Sequence, residues 1–242
     1  MEPTMYQQYL RCAIELLDQL EKTQGGAIRQ AAEIVAEAVA RGRLVYTFGS
    51  GHSQLIARDV AYRAGGLVPL VHLPDPAWGL FERMEGSGRT LISQYPIQAG
   101  DVLFVISNSG RNPEPVEVAM VAGEKGLKVI AILSMQHARG VSARHSSGKK
   151  LYQVADVVLD TGAPSGDAAI AIPGLSERVG PVSTLLGAAL LQAVMVEAVQ
   201  ILVEQGITPP ILISANIDGS DEHNRALFAR FPELRWLPKF SF

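Results

Sequence analysis

The sequence predicts an α/β fold, a doubly wound parallel sheet flanked by helices and led by an N-terminal helical pair. Three observations predict it. Five short runs rich in Val, Leu and Ile (Leu44–Phe48, Leu67–His72, Val102–Ile106, Leu127–Leu133 and Val154–Asp160) lack the alternation of half-exposed strands, as strands buried on both faces do. Helix-period segments fall between them, most clearly Gln54 to Ala64 and Pro113 to Lys125, with Gly65 and Gly126 where a left-handed glycine would end each helix. The chain has 242 residues, 48% hydrophobic and 19% charged, which suits one folded α/β domain with at most a small appendage.

The elements follow in order. Met5, Tyr9, Cys12, Leu16, Leu17 and Leu20 recur at helical spacing, Gly25-Gly26 punctuate, and Ala27, Ile28, Ala31, Ile34, Val35 and Ala38 start a second apolar face. Residues 1–41 are therefore expected to be a helical lead-in that packs on the core or on a partner subunit. Residues 42–206 carry the sheet, and 207–242 form a C-terminal arm expected to contribute to the active site and to a dimer. Two connections, Leu73–Gln98 and Ser134–Lys150, are long enough to read as lids or binding loops. The second holds Arg139, Arg144, Lys149 and Lys150, with His137 and His145 read as solvated surface. The aromatic tail Phe231, Trp236, Phe240 and Phe242 is expected to dock on this chain or a partner.

Composition excludes several classes. With 21 basic and 24 acidic side chains, a net charge of −3, the chain has no nucleic-acid footprint. Its one cysteine, Cys12, excludes an intramolecular disulfide framework and a cysteine zinc cluster. The run Val179–Val203 is apolar, but Gln192, Glu197 and Gln200 interrupt it and Arg178 precedes it, so a buried helix is expected rather than a membrane span. The opening residues do not read as a secretory signal. A cytoplasmic protein with neither membrane nor nucleic-acid partners is the expectation.

Chemistry concentrates in two loops. Gly49-Ser50-Gly51-His52-Ser53 joins a strand to a helix, where glycines let a ligand approach the backbone and free amides favour an anion. It is neither a P-loop nor a dinucleotide fingerprint, and alone it reads equally well as a capped turn. Ser107-Asn108-Ser109-Gly110-Arg111-Asn112 repeats the context after another strand, with Pro113 suited to a first helical position. Two such loops on one parallel sheet point to phosphate, held by hydroxyls and amides.

This pair of motifs resembles the SIS (sugar isomerase) domain. The resemblance runs from Leu44 to about Gln205 and includes Gly180-Pro-Val-Ser-Thr-Leu at the start of the long helix. Glu82-Arg-Met-Glu-Gly86 and Asp218-Gly-Ser-Asp-Glu-His-Asn224 resemble segments of one subgroup classed with phosphosugar isomerases. The resemblance implies a five-stranded parallel sheet, a phosphorylated-sugar ligand, and a homodimer or homotetramer with sites at subunit boundaries. It places Ser53, Ser107, Asn108, Ser109, Asn112 and Thr184 at the phosphate, with Gly51 and His52 beside the substrate. Asn112 stands where the family commonly has Thr or Ser.

Moving a proton between C1 and C2 of a sugar needs a base, and ring opening needs a second group; a carboxylate and a histidine suffice without metal or cofactor. Glu82 and Glu85 lie three apart and share a face of one helical turn. Glu85 is the preferred base, Glu82 the substitute, and Glu177 a third candidate. His223, amid Asp221, Glu222 and Asn224, is the preferred histidine, and His72 reads as a buried core residue. No histidine and carboxylate spacing forms a metal triad. The leading expectation is an aldose–ketose isomerase. A lyase, etherase or deglycase using the same proton abstraction, and a sensor that binds a sugar phosphate without turnover, are the alternatives.

Overall fold

In a computed structural model, residues 3–236 are described. Five parallel strands, β1 (Val45–Gly49), β2 (Leu70–Leu73), β3 (Val102–Ile106), β4 (Lys128–Leu133) and β5 (Val157–Asp160), stand in the order β2-β1-β3-β4-β5. Each matches an expected apolar run within a few residues, and the reason is visible in the packing. Along every strand, alternate side chains enter opposite layers, and both layers are covered.

One layer takes Val45, Phe104, Ile106, Ile130, Ile132 and Leu159 against α1 (Met5–Ala40), α2 (Ser53–Asp59) and α6 (Ser183–Glu204). The other takes Tyr46, Phe48, Leu103, Val105, Ala131 and Leu133 against α3 (Ser87–Ile92), α4 (Pro113–Glu124) and α7 (Ser220–Ala229). A five-residue helix, α5 (Met135–Arg139), follows β4, and an antiparallel pair, β6 (Ala168–Ala171) with β7 (Arg178–Pro181), precedes α6. Sequence reading missed this pair because its strands are four residues each, with β6 half-buried and β7 mostly exposed.

The expected N-terminal helical pair is one helix of 36 residues. Each interior glycine costs a helix about 1 kcal/mol relative to Ala, so Gly25-Gly26 looked like an interruption. Tertiary contacts outweigh that cost. Ala31, Ala32, Val35 and Ala36 are buried in the layer shared with α6, Gln24 Oε1 accepts the Asp160 amide at 2.9 Å, and Tyr9 Oη donates to the Pro181 carbonyl at 3.0 Å.

Helix α6 is the one described helix long and apolar enough to cross a membrane, and it packs against α1, α2 and the sheet, burying Leu186, Leu190, Leu191, Val194 and Leu202. Past it, Pro209–Ile213 runs back beside the approach to β2, with backbone bonds Val68 N–Pro210 O and Gly65 N–Leu212 O of 2.9 and 2.8 Å. Phe231 and Leu234 enter the second layer. Phe240 and Phe242 lie outside the described residues.

Candidate functional site

Strand order reverses at β1, whose sequence neighbour β2 lies on one side and β3 on the other. At such a switch point the loops after β1 and β3 part to opposite faces and leave a crevice at the strands' carboxyl ends. Both glycine and serine motifs sit there. Ser53 opens α2, and Asn112 caps α4 with Pro113 next.

Near the β3 loop, Ser53, Asn108, Thr161 and Ser183 converge on a small recess above Ile106 and Ile132. Asn108 Oδ1, in its lining, is buried without a hydrogen-bond partner among the described residues, as are Arg111 Nε of the same loop and His137 Nδ1, whose ring feels the Arg111 charge. Unpaired buried polar atoms are costly, and a cluster of them marks a place where something else binds. The Asn108 amide can reverse its ends to present N–H to an anion.

Ser107 is buried and its Oγ accepts the Gly110 amide at 3.3 Å, shaping the loop, whereas Ser109 keeps its hydroxyl uncommitted among the described residues. Asn112 Oδ1 accepts from Arg144 Nη1 at 2.7 Å, and Arg111 Nη2 donates to Ser142 Oγ at 3.1 Å. Partial desolvation, then the charges of Arg111 and Arg83, weakens proton binding by Arg144. Arg83, Arg111 and Arg144 thus form a cationic side that the sequence reading, which took Arg144 for a loop charge, did not assemble.

His137 is half-buried, its pKa lowered by burial and by Arg111 against the opposing pull of Asp167. That corrects its reading as solvated surface, and His145, with a side chain 11% exposed, corrects likewise. The signal available was local: Ser134 caps α5 and turns His137 inward, its Oγ accepting the His137 amide at 3.1 Å.

Thr184 is exposed on the first turn of α6. The N-terminus of that helix is capped by Asp167, whose carboxylate accepts the amides of Val182 (3.0 Å) and Ser183 (2.7 Å) and the Ser183 hydroxyl (2.7 Å). Asp167 also tolerates the left-handed backbone its φ of 72° requires. Asp167→Ala is expected to cost about 1–2 kcal/mol through the lost cap, seen as a fall of about 2–8 °C in Tm by calorimetry.

The other side of the crevice is acidic. Ser50 Oγ lies 2.9 Å from Asp75 Oδ2 and 2.7 Å from Glu114 Oε2, and all three residues are buried. Gly79 rests on the β1 loop so closely that a Cβ there would stand 3.1 Å from Gly51 Cα, which presses the 74–79 turn onto Ser50. Glu117, one turn along α4, accepts the amides of Gly86, Gly88 and Arg89. Burial, reinforced by the charges of Asp75, Glu82 and Glu117 against the Ser50 hydrogen bond, pushes the Glu114 carboxyl up to about 7. A carboxyl half-ionised near neutrality can both take and return a proton. No signal along the chain marks it, because Glu114 at the second position of a helix reads as a favourable dipole partner.

Of the expected catalytic residues, Glu85 lines the same cavity as Glu114 and Asp75, and the others are spread over the chain. Glu85 is exposed at the rim, and the Ser146 hydroxyl and amide, at 2.7 and 2.6 Å, hold its carboxyl below the ordinary range. Glu82 is half-buried, and its carbonyl accepts the Glu114 amide at 3.2 Å. Glu177 is exposed and held down by Ser176. His223 is exposed with Nε2 3.1 Å from the Ile211 carbonyl, in the segment beside the approach to β2, at the sheet's amino end and away from both loops. Its neighbour Asn224 is buried and bonds both the amide and the carbonyl of Ile213, a structural role. His145 Nε2 lies 3.6 Å from Glu117 Oε1. His52, exposed, precedes α2, and Gly51 takes a φ of 55° beside it. His72 is pushed down to about 4, chiefly by burial. Among the described residues, no three His, Cys, Asp or Glu side chains converge as a metal shell.

A family model described as the SIS domain matches residues 8–134. The chain belongs to the SIS-domain family. A UPF0309 protein of Listeria monocytogenes serovar 1/2a is 42% identical over 221 residues, covering 91% of this chain and 94% of that one. A UPF0309 protein of Geobacillus kaustophilus is 40% identical over 98% of this chain and 94% of its own. Among solved structures, the phosphoheptose isomerase GmhA from Neisseria gonorrhoeae superposes with a TM-score of 0.57 at 21% identity, over 78% of this chain and 93% of that one. The phosphoheptose isomerase of Francisella tularensis gives 0.54 at 18%, over 78% and 95%. These likenesses establish the SIS fold, including the sheet order.

Proposed function

We propose that this SIS protein is a cytoplasmic enzyme that binds a phosphorylated sugar and shifts a proton between its C1 and C2 through an enediol, an aldose–ketose isomerisation needing neither metal nor cofactor. The observation that carries the reading is the pairing, across one switch-point crevice, of uncommitted polar groups around Asn108 and Arg111 with the half-ionised carboxyl of Glu114. In this reading Ser53, Asn108, Ser109 and Arg111 hold the phosphate, Ser107 shapes the loop, and Asn112 fixes Arg144 toward it. Thr184, exposed beside the recess, closes over the ligand.

The proton-moving role passes from Glu85 to Glu114, because a carboxylate held low by two Ser146 hydrogen bonds is the weaker base. Glu82 and Glu85 then hold the mouth of the crevice. His145, which meets the acidic side at Glu117, serves ring opening in place of His223. SIS proteins with phosphoheptose isomerase in their names share the fold, and that likeness supports the substrate class. The working form is a homodimer or homotetramer.

Proton NMR of a pool of hexose, pentose, heptose and amino-sugar phosphates in D₂O tests the reading. Loss of a C2 proton with new aldose or ketose signals is the expected result. A released amine, alcohol or lactate would replace isomerisation by a lyase or deglycase, and line broadening without turnover would leave a sensor. Ser109→Ala is expected to raise KM about tenfold with kcat changed by less than about threefold, since a phosphate hydrogen bond is made equally in ground and transition states. A collapse of kcat alone would remove Ser109 from the phosphate.

A further inference from the structure

A cavity of about 570 Å³ lies under the 74–95 segment, on the acidic side of the crevice. Its walls are mainly carbon, from Pro74, Pro76, Ala77, Phe81, Met84 and Leu91, with Glu85, Thr90 and Gln94 among the polar residues that also line it. A bare sugar carries a hydroxyl on nearly every carbon, and each one loses water on entry unless a partner replaces it. These walls offer few partners. The cavity therefore suits an apolar body better than the polyol end of a free sugar phosphate.

The polar floor is where Glu114 and Asp75 line the same space. Asp75 accepts the amides of Ala77 and Gly79 and lies 2.9 Å from the Ser50 hydroxyl. The one proton of Ser50 serves either Asp75 or Glu114, which lies 2.7 Å from it and has no other donor among the described residues, so Glu114 retains capacity. With Glu82 and Glu117 also near Glu114, the floor repels an anion and attracts a cation. Arg111 and Arg144 lie beside the β3 loop, where Arg144 is bonded to Asn112, and Arg83 and Glu82 of the 74–95 segment both reach Arg144 electrostatically. The two halves meet on α4, where Asn112 and Glu114 are two residues apart. The site is bipolar.

Resting on the phosphosugar reading above, we propose that the substrate is a sugar phosphate carrying an apolar group through an amine link. The phosphate lies in the β1–β3 cradle, the amine on C1 faces Glu114, and the apolar body fills the cavity under 74–95; the C1–C2 proton shift of such a substrate runs through an enaminol, interconverting a ketosamine and an aldosylamine. The cavity thereby sets specificity against unsubstituted sugar phosphates.

Calorimetric titration of the full chain with three probes tests this: fructose 6-phosphate, its 1-(N-benzylamino)-1-deoxy derivative, and its 1-O-benzyl ether. The amine conjugate is expected to bind at least about tenfold more tightly than fructose 6-phosphate, as burial of a phenyl-sized surface implies, and more tightly than the ether. Ala77→Trp, which fills the cavity from its wall, is expected to erase that gain while leaving fructose 6-phosphate affinity within about twofold. Met84→Trp, at a side chain 55% exposed, is a second filling variant that spares folding. A conjugate no tighter than fructose 6-phosphate, or a gain that survives both variants, overturns the cavity's role. An ether as tight as the amine overturns the amine link. Those results leave phosphate recognition standing, whereas failure of all three phosphates to bind would sink the phosphosugar reading itself.

Discussion

Glu114→Gln is expected to lower kcat by about 10²–10⁴-fold, the range for loss of a positioned general base, while sugar phosphate still binds. The amide keeps the shape of the side chain and can still meet Ser50 Oγ, so the fold around the switch point survives. The wild-type profile of kcat/KM against pH is expected to rise through about 7 as the carboxyl ionises, and the variant is expected to lose that limb. Stability carries an independent signature of the same group. The folded state raises this carboxyl from 4.5 to about 7, so between those values the folded chain retains a proton that the unfolded chain releases. Stability from this group is therefore full below about 4.5 and falls as pH climbs to about 7. The fall amounts to a few kcal/mol at most, and Glu114→Gln removes it. Tm measured from pH 5 to 8 should thus decline less steeply in the variant. An unchanged slope together with normal turnover would remove Glu114 from the chemistry, and Glu85 and Glu82 would then be tested in the same way.

The sheet was legible because both faces of every strand are covered, so the apolar runs are continuous and their spacing survives in the linear sequence. The two ligand loops were legible for a related reason: close backbone approach restricts a turn to glycines and small hydroxyls, a signature that needs no knowledge of the tertiary fold. The N-terminal helix was misread because local propensity at Gly25-Gly26 is outvoted by contacts to α6 and β5 more than a hundred positions away. Glu114 was missed on the same principle. Its chemistry comes from Ser50, Asp75 and Glu82, brought in from two other segments, and no spacing along the chain encodes that meeting. Glu85 and His223 drew notice through residue type and motif, yet side-chain type does not fix environment: one is exposed and held low, the other faces the Ile211 carbonyl.

The acidic half of the site depends on how closely α3 approaches α4, and Gly88→Ala tests that dependence. A Cβ at Gly88 would stand 2.2 Å from the Glu114 carbonyl oxygen and 2.9 Å from Glu117 Cβ. The first contact is with backbone, so no rotamer change relieves it, and α3 must lift from α4. Lifting breaks the hydrogen bonds from the Gly88 and Arg89 amides to Glu117, leaving Oε2 of a carboxylate that is 7% exposed without its donors while Oε1 keeps the Gly86 amide. Overpacking costs about 1–3 kcal/mol and the orphaned oxygen adds about as much. The expected loss is about 2–6 kcal/mol, read as a drop of about 4–24 °C in Tm for a chain of this size. The Glu114 backbone sits at the collision point, so activity in the folded fraction should fall as well. A substitution at a site with free space separates the two effects: no atom lies within 4 Å of a Cβ added at Gly123, on the same α4, and Gly123→Ala is expected to preserve both Tm and turnover. Equal behaviour of the two variants would mean that α3 has room to move without consequence, and that the acidic cluster does not depend on its close seating.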